Sequence, residues 1–227
     1  MKDYPVLFFV HGGAWQMGDK AKDFGIYITL ARSFAQAGVG TVVTNYRLSP
    51  GVKHPEHVKD VARAFAWTHK NIAKYGGRPD QIFISGHSAG GHLVALLTTN
   101  EQYLKANGLA VKDVRAVIPI SGVYDVPARF MPTVFGTDAE EHKMASPLRQ
   151  VKPALPPFLI LYAEKDFPGC GKAPSEAFCK ALKDKENRAE TEEIKGSDHI
   201  RIILSAGKSD DVVFKKILEF IRANAKK

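Results

Sequence analysis

Ser88 lies in a glycine-rich pentapeptide, Gly86-His87-Ser88-Ala89-Gly90, that fits the pattern G-x-S-x-G. This pattern is typical of a tight turn between a strand and a helix, which lifts a serine hydroxyl above the edge of a sheet. Glycines flank the serine because side chains there would clash with the neighbouring strand and helix. The turn predicts nucleophilic attack by Ser88, although five letters alone also fit an ordinary glycine-rich corner.

A serine nucleophile also needs N–H donors for the negative oxygen of a tetrahedral intermediate, each contributing about 3 kcal/mol. The segment HGGAW, residues 11–15, follows an apolar run and contains the glycines that let backbone N–H groups turn toward one point. Alone, this segment fits a simple Gly-Gly turn. Beside the serine turn it predicts an oxyanion hole, completed by the N–H of Ala89.

A histidine base must lie near Ser88, because a serine at its ordinary pKa is a poor nucleophile. In scaffolds that carry this turn the chain order is serine, acid, histidine. Two histidines lie well beyond the turn, His142 and His199. His142 sits in the charged stretch DAEEHK, where we expect an exposed side chain, whereas His199 follows the last predicted strand. His199 is the candidate base.

The acid that orients the base is expected just past the end of a strand, where Glu164 and Asp166 stand in the stretch FLILYAEKDFPG. Asp166 lies farther out in the loop, from which a carboxylate can reach His199, so it is favoured over Glu164. Asp198 and Asp125 fit turn or capping positions better.

Short apolar runs alternate with helical patterns along the chain, which is the βαβ rhythm of a mostly parallel sheet with flanking helices. The apolar runs are continuous, as expected for a sheet covered on both faces. The strands are predicted at 6–10, 41–45, 82–85, 116–121, 158–163 and 190–195, and the helices at 21–37, 58–75, 89–99, 174–185 and 210–223.

Residues 122–157 break this rhythm, because they are rich in proline near their end and have little periodicity. Long loops in compact domains are usually functional or mobile, so the segment is interpreted as a small lid or wall. No repeat or linker divides the chain. We therefore predict one domain, 1–227, with a lid-like insertion at about 122–157.

The formal net charge is +8, but the basic residues are dispersed and no nucleic-acid motif accompanies them. A solvated surface is therefore favoured over a nucleic-acid face. No apolar run approaches the roughly 18 residues of a membrane span. The run at 6–10 is too short for the core of a signal peptide, so the chain as given is predicted to be cytoplasmic and not bound to a membrane.

Cys170 and Cys179 lie close in sequence. A disulfide between them is one alternative, but two free thiols are favoured because nothing else in the sequence indicates a fold held together by disulfides. The motifs contain neither a metal-ligand constellation nor a dinucleotide fingerprint, so neither a metal nor a cofactor is predicted.

Taken together, these segments resemble the α/β-hydrolases, and within them the hormone-sensitive-lipase-like carboxylesterases and their small relatives. The resemblance implies a three-layer sandwich and places a nucleophile, an acid and a base on Ser88, Asp166 and His199. It places the oxyanion hole on the N–H groups of Gly13, Ala14 and Ala89, and it makes Asp60 structural. The resemblance rests on HGGAW (11–15), NYRLSP (45–50), HPEHVKDVARAFAW (54–67), GHSAGGHLVALL (86–97) and the loops at Asp166 and His199.

The sequence as given departs from this family at its start, because the family's usual N-terminal strands are absent before the HGGAW strand. We therefore expect a core of six parallel strands in the order 2-1-3-4-5-6, with strand 41–45 at an uncovered edge. Such an edge must be blunted or paired across a homodimer. If an N-terminal signal has been removed, the protein would instead be secreted or periplasmic.

The leading hypothesis is a serine carboxylesterase that cleaves small esters through an acyl-enzyme. HGGAW also resembles the HGG-x-W signature of kynurenine formamidases, and the loop YAEKDFPG looks closer to that of feruloyl and acetyl esterases. Formamide hydrolysis and a non-catalytic ligand-binding protein stay as alternatives. Trp15, His87 and Phe167 are candidate substrate contacts, with packing the alternative for Trp15 and His87.

Overall fold

The core of the protein is one parallel sheet of six strands, in a computed structural model that describes residues 2–22 and 25–226. Its spatial order is β2-β1-β3-β4-β5-β6, which confirms the predicted order. Among the described residues β2 pairs only with β1, so it forms an edge. The strands are β1 (Tyr4–Val10), β2 (Gly40–Thr44), β3 (Gly77–His87), β4 (Ala116–Ile120), β5 (Phe158–Lys165) and β6 (Ala189–Asp198).

Helices cover both faces of this sheet, as the continuous apolar strands predict. Along β1, Val6 and Phe8 belong to one buried cluster while Leu7 and Phe9 belong to the other. The α-helices of the described residues are α1 (Ile26–Gln36), α2 (Glu56–Asn71), α3 (Ala89–Thr99), α4 (Gln102–Lys105), α5 (Pro132–Phe135), α6 (Ala139–Met144), α7 (Lys172–Asp184), α8 (Arg201–Ser205) and α9 (Val212–Asn224). Short 3-10 helices lie at Ile72–Tyr75, Val111–Asp113 and Pro147–Gln150.

The two faces carry different helices. Helices α2, α3 and α7 contribute to the cluster that contains Phe8, and α1, α8 and α9 contribute to the cluster that contains Phe9. This is the three-layer α/β sandwich predicted from the sequence. In the part of the chain that the structure describes, no helix has the length and apolar character to span a bilayer.

Helix α1 begins later than the predicted residue 21. It starts at Ile26, directly after Gly25 at φ 72°, a left-handed conformation that glycine adopts readily and that precedes the helix. Residues 21 and 22 form a turn, and the predicted helical residues 23 and 24 lie outside the described residues.

The segment 122–157 packs as a wall against the α3 face of the sheet. Tyr124, Phe135 and Ala145 are almost fully buried in the cluster that includes α3. Contacts of individual side chains hold the segment, which explains why its sequence shows little periodicity.

His142 was expected to be exposed, and this expectation was wrong. Its side chain is only 2% exposed, with Nδ1 2.8 Å from the Pro127 carbonyl oxygen and Nε2 3.0 Å from the Gly136 carbonyl oxygen. Helix α6 turns this ring inward while its acidic neighbours Glu140 and Glu141 face solvent. The charged neighbours in the sequence indicated the exposed face of α6 but not its inner face, on which His142 lies.

Candidate active site

The turn at Ser88 joins β3 to α3, and its backbone is at φ 55° and ψ −117°. The flanking glycines are required by contacts with backbone. A Cβ at Gly90 would lie 2.1 Å from the carbonyl oxygen of Val10, and a Cβ at Gly86 would lie 2.5 Å from the carbonyl carbon of Gly90. Because side chains do not fit at either position, the chain turns sharply and presents Ser88 at the carboxyl edge of the sheet.

A line of hydrogen bonds joins Ser88 to an imidazole and a carboxylate. The Ser88 Oγ lies 2.9 Å from His199 Nε2, and His199 Nδ1 lies 2.5 Å from Asp166 Oδ1. Asp166 follows β5 and His199 follows β6, so neighbouring strands bring the two loops together at one edge. The structure therefore brings together the three residues predicted from the sequence.

The Asp166 carboxylate is held in its ionised form. Burial opposes ionisation, but hydrogen bonds from His199, from the Ser121 hydroxyl (2.5 Å) and from the Ala163 N–H (3.0 Å) outweigh it and lower the pKa of Asp166. Ser121 was missed by the sequence analysis. It directly follows β4 at the same carboxyl edge, and that position was the available signal.

The other acidic candidates serve local structure. Glu164 is exposed and accepts a hydrogen bond from the Gly196 N–H at 2.7 Å. Asp198 accepts from the N–H groups of Ile200 and Arg201 at the start of α8. Asp125 pairs with Arg149, and Asp60 pairs with Arg47 and Arg63.

The HGGAW loop runs in a left-handed conformation over three residues, with φ 110° at Gly13, 52° at Ala14 and 60° at Trp15. A Cβ at Gly13 would lie only 2.1 Å from the carbonyl oxygen of Met17, so a side chain is excluded there. The Gly13 carbonyl accepts the N–H groups of residues 16 and 17, which closes the loop into a turn.

This loop lies against the serine turn. A Cβ at Gly12 would come within 3.4 Å of the Ser88 Cβ. Among residues 2–22 and 25–226, the N–H groups of Gly13, Ala14 and Ala89 donate to no acceptor. Such donors beside Ser88 fit an oxyanion hole, which stays a prediction for these three residues.

His87 and Trp15 are both buried, which favours the packing alternative for both; a substrate contact by either side chain stays a prediction. His87 is 5% exposed and its Nε2 lies 2.8 Å from the carbonyl oxygen of His199. Burial, together with the nearby His199, lowers the pKa of His87 to about 3, so the neutral ring donates this bond. Trp15 is 2% exposed, and its indole packs against Phe135 and His92.

Three exposed apolar side chains lie close in sequence to residues of the site. The Phe167 ring is 59% exposed and lies 4.4 Å from the His199 ring, centroid to centroid. Ile200 is also exposed, directly after His199. Met17 is also exposed, and the sequence analysis did not name it. The available signal was the glycine-rich turn, which brings Met17 close to Gly13.

One set of metal-ligand types occurs among the described residues. Atoms of Asp166, Cys170 and His199 lie within 4.8 Å of one another. Asp166 and His199 are already bonded to each other. Burial, with Asp166 nearby, raises the pKa of the Cys170 thiol to about 12, so it stays protonated and is a poor metal ligand. Cys170 and Cys179 are both buried, free thiols.

The model of the BD-FAE family matches residues 1–168, which is most of the chain and includes Ser88 and Asp166. The chain belongs to the BD-FAE family of α/β-hydrolases. The predicted resemblance to α/β-hydrolases and carboxylesterases is thereby confirmed. His199 lies beyond the matched residues of this family member.

Several esterases are similar to this BD-FAE chain. Esterase LipQ of Mycobacterium tuberculosis is 39% identical over 198 residues, 79% of this chain and 46% of LipQ. A probable isoprenylcysteine α-carbonyl methylesterase of Oryza sativa, ICMEL1, is 30% identical over 88% of this chain and 52% of its own. The chain thus spans about half the length of these relatives.

Solved structures share the fold. The propionate-bound esterase Est2 of Thermogutta terrifontis superposes with a TM-score of 0.78 at 25% identity, covering 98% of this chain and 82% of Est2. The same esterase phosphoramylated by tabun gives a TM-score of 0.79 at 25% identity over the same shares of each chain.

Proposed function

We propose that this protein is a serine carboxylesterase that hydrolyses small carboxylic esters through an acyl-enzyme. The observation that carries the proposal is the unbroken line of hydrogen bonds from Ser88 Oγ through His199 to Asp166. A buried carboxylate, an imidazole and a serine in this order form the constellation that activates a hydroxyl for attack on a carbonyl.

In the proposed mechanism, His199 Nε2 takes the proton of Ser88 as the Oγ attacks the ester carbonyl. Asp166 accepts the His199 Nδ1–H, which fixes the tautomer and stabilises the imidazolium that forms. The imidazolium then gives its proton to the departing alcohol. Water, activated in the same way, releases the acid from Ser88.

The N–H groups of Gly13, Ala14 and Ala89 stabilise the negative oxygen of both tetrahedral intermediates. These donors belong to a turn closed by its own hydrogen bonds and to the first residue of α3, so they are fixed before substrate binds. Donors that need no rearrangement stabilise the transition state most strongly.

The substrate class is small esters with an apolar acyl or alcohol group. Met17, Phe167 and Ile200 are exposed apolar side chains close in sequence to the proposed oxyanion donors, the acid and the base, and they would offer a small ester an apolar surface open to solvent. Relatives named as esterases, and Est2 with bound propionate, support ester cleavage with short acyl groups. These names also favour an ester over a formamide as the substrate.

The test is hydrolysis of p-nitrophenyl acetate, butyrate and octanoate by the wild type, Ser88→Ala and the control Ser209→Ala. Ser209 is exposed and lies in the turn between α8 and α9, after the loop of His199. We expect the wild type and the control to prefer the shorter esters, and Ser88→Ala to lose at least about a thousandfold in kcat. Unchanged hydrolysis by Ser88→Ala would remove this serine from the mechanism.

Formamide hydrolysis is distinguished from ester hydrolysis by assaying N-formylkynurenine beside p-nitrophenyl acetate. A larger kcat/KM for the formamide would reassign the reaction class while keeping the same residues. No turnover of either substrate by the folded wild type would instead support the non-catalytic alternative.

A further inference from the structure

The ring of His92, in the second turn of α3, makes a hydrogen bond to each of two segments, the HGGAW loop and the wall formed by 122–157. The Trp15 Nε1–H donates to His92 Nδ1 at 3.2 Å. On the other side, His92 Nε2 lies 2.8 Å from the carbonyl oxygen of Ala145, at the end of α6. His92 thus connects the HGGAW loop to the wall formed by 122–157.

These partners define the protonation state of His92. Nδ1 faces an N–H and must accept, so the ring proton is on Nε2 and is donated to Ala145. Burial is the main cause that lowers the pKa of His92 to about 4, so the ring is neutral near pH 7. Both ring nitrogens are therefore satisfied by one tautomer.

Packing fixes the indole in the same place. Trp15 meets the Phe135 ring edge-on at 4.9 Å and the His92 ring edge-on at 5.0 Å. All three side chains are at most 2% exposed. The indole therefore cannot shift unless the hydrogen bond to His92 breaks and Phe135 moves.

The backbone of Trp15 is strained, so contacts of its side chain must hold it in place. Ala14 and Trp15 are both left-handed, at φ 52° and 60°, a conformation that costs about 1–2 kcal/mol for each residue with a Cβ. Such conformations persist only where the surroundings hold them. The anchored residue directly follows Ala14, whose N–H is a proposed oxyanion donor.

We propose that His92 is a positioning residue for the oxyanion hole. By holding the Trp15 indole, it keeps the Gly13 and Ala14 N–H groups directed at the carbonyl oxygen of the substrate. This role rests on the proposed esterase function and goes beyond it, because His92 touches neither the substrate nor Ser88, His199 or Asp166 through its side chain.

Two conservative variants separate this role from a general role in packing. In His92→Asn the Oδ1 can replace Nδ1 and keep the bond from Trp15, while the bond to Ala145 is lost. In His92→Gln the Nε2 can replace the ring Nε2 and keep the bond to Ala145, while the bond from Trp15 is lost. Each variant therefore removes one hydrogen bond from the same buried residue.

We expect His92→Gln to lose about 10- to 100-fold in kcat for p-nitrophenyl acetate, since a small displacement of an oxyanion donor has effects of this size. Both kcat and kcat/KM should fall together, because the interaction is made only in the transition state. His92→Asn should stay within about threefold of the wild type in kcat. Thermal unfolding should show similar losses of stability for the two variants.

Trp15→Phe is the second arm, since it keeps an aromatic ring in the same place but loses the indole N–H, together with part of the ring system. It should lower kcat as His92→Gln does, and combining the two substitutions should cost little more than either alone. Equal losses of kcat in the Asn and Gln variants, or full activity in His92→Gln, would overturn the positioning role. Wild-type and Ser88→Ala rates, measured alongside, test the esterase function separately, and an inactive wild type overturns both.

Discussion

At the scale of single residues, the site depends on how Asp166 is held. Its carboxylate is buried, yet hydrogen bonds from His199, Ser121 and the Ala163 N–H keep it ionised. A buried carboxylate that already has these partners orients the His199 ring without itself taking up the proton. The Ser121 hydroxyl therefore acts on His199 indirectly, by holding the Asp166 carboxylate that orients the ring.

Replacing Asp166 by Asn should lower kcat for p-nitrophenyl acetate by about 10³- to 10⁴-fold, because the amide favours the wrong tautomer of His199. The matched control is Glu164→Gln two residues earlier, where the carboxylate is exposed and accepts the Gly196 N–H. We expect the control to keep wild-type kcat. Equal losses in the two variants would show that Asp166 is not the orienting acid.

At the scale of elements, the site depends on the close approach of α3 to the end of β1. Gly90 lies so near the Val10 and His11 carbonyl oxygens that no Cβ fits. The same approach sets the HGGAW loop, which continues from β1, beside Ser88. Strand, loop and helix therefore place the nucleophile and the proposed oxyanion donors as one unit.

Gly90→Ala should destabilise the fold by more than about 3 kcal/mol or prevent folding, because the added Cβ meets backbone atoms that cannot yield. Gly169→Ala is the control, since a Cβ there meets nothing within 4 Å. Its free energy of unfolding in urea should stay within about 0.5 kcal/mol of the wild type. A folded Gly90→Ala variant of wild-type stability would refute the steric account of the turn.

Much of this arrangement could be predicted from the sequence, because strand runs, their order and residues at strand ends are local signals. The apolar runs predicted the sheet, and the ends of β3, β5 and β6 predicted the positions of Ser88, Asp166 and His199. The buried ring of His142 and the bridge from Trp15 through His92 could not be predicted. Both depend on residues 122–157, whose side-chain contacts leave no periodic pattern.

At the scale of the whole molecule, four buried histidines are held neutral. Burial, the largest cause for each, lowers the pKa from 6.5 to about 3 for His54 and His87 and to about 4 for His57 and His92. The unfolded chain binds protons at these rings below pH 6.5, whereas the folded chain does not. Their contribution to stability is therefore present above pH 6.5 and is lost as the pH falls toward 4.

Urea unfolding between pH 7 and pH 5 should show this loss, because carboxylates titrate mostly below that window. Each ring lowers the free energy of unfolding by up to about 1.4 kcal/mol per pH unit below pH 6.5. His54→Gln removes one of the four groups and should reduce the slope by about a quarter. A free energy of unfolding that does not change from pH 7 to pH 5 would contradict the neutral state of these rings.

The most direct measurement is the reaction of the folded protein with a fluorophosphonate, followed by intact mass and peptide mapping. The hydrogen bonds from Ser88 through His199 to Asp166 indicate an activated nucleophile. Such a nucleophile should form one covalent adduct per chain. We expect that adduct on Ser88, with esterase activity falling in proportion to labelling and no adduct in Ser88→Ala. Labelling at another residue, or full activity in the fully labelled protein, would contradict the assignment of Ser88 as the nucleophile.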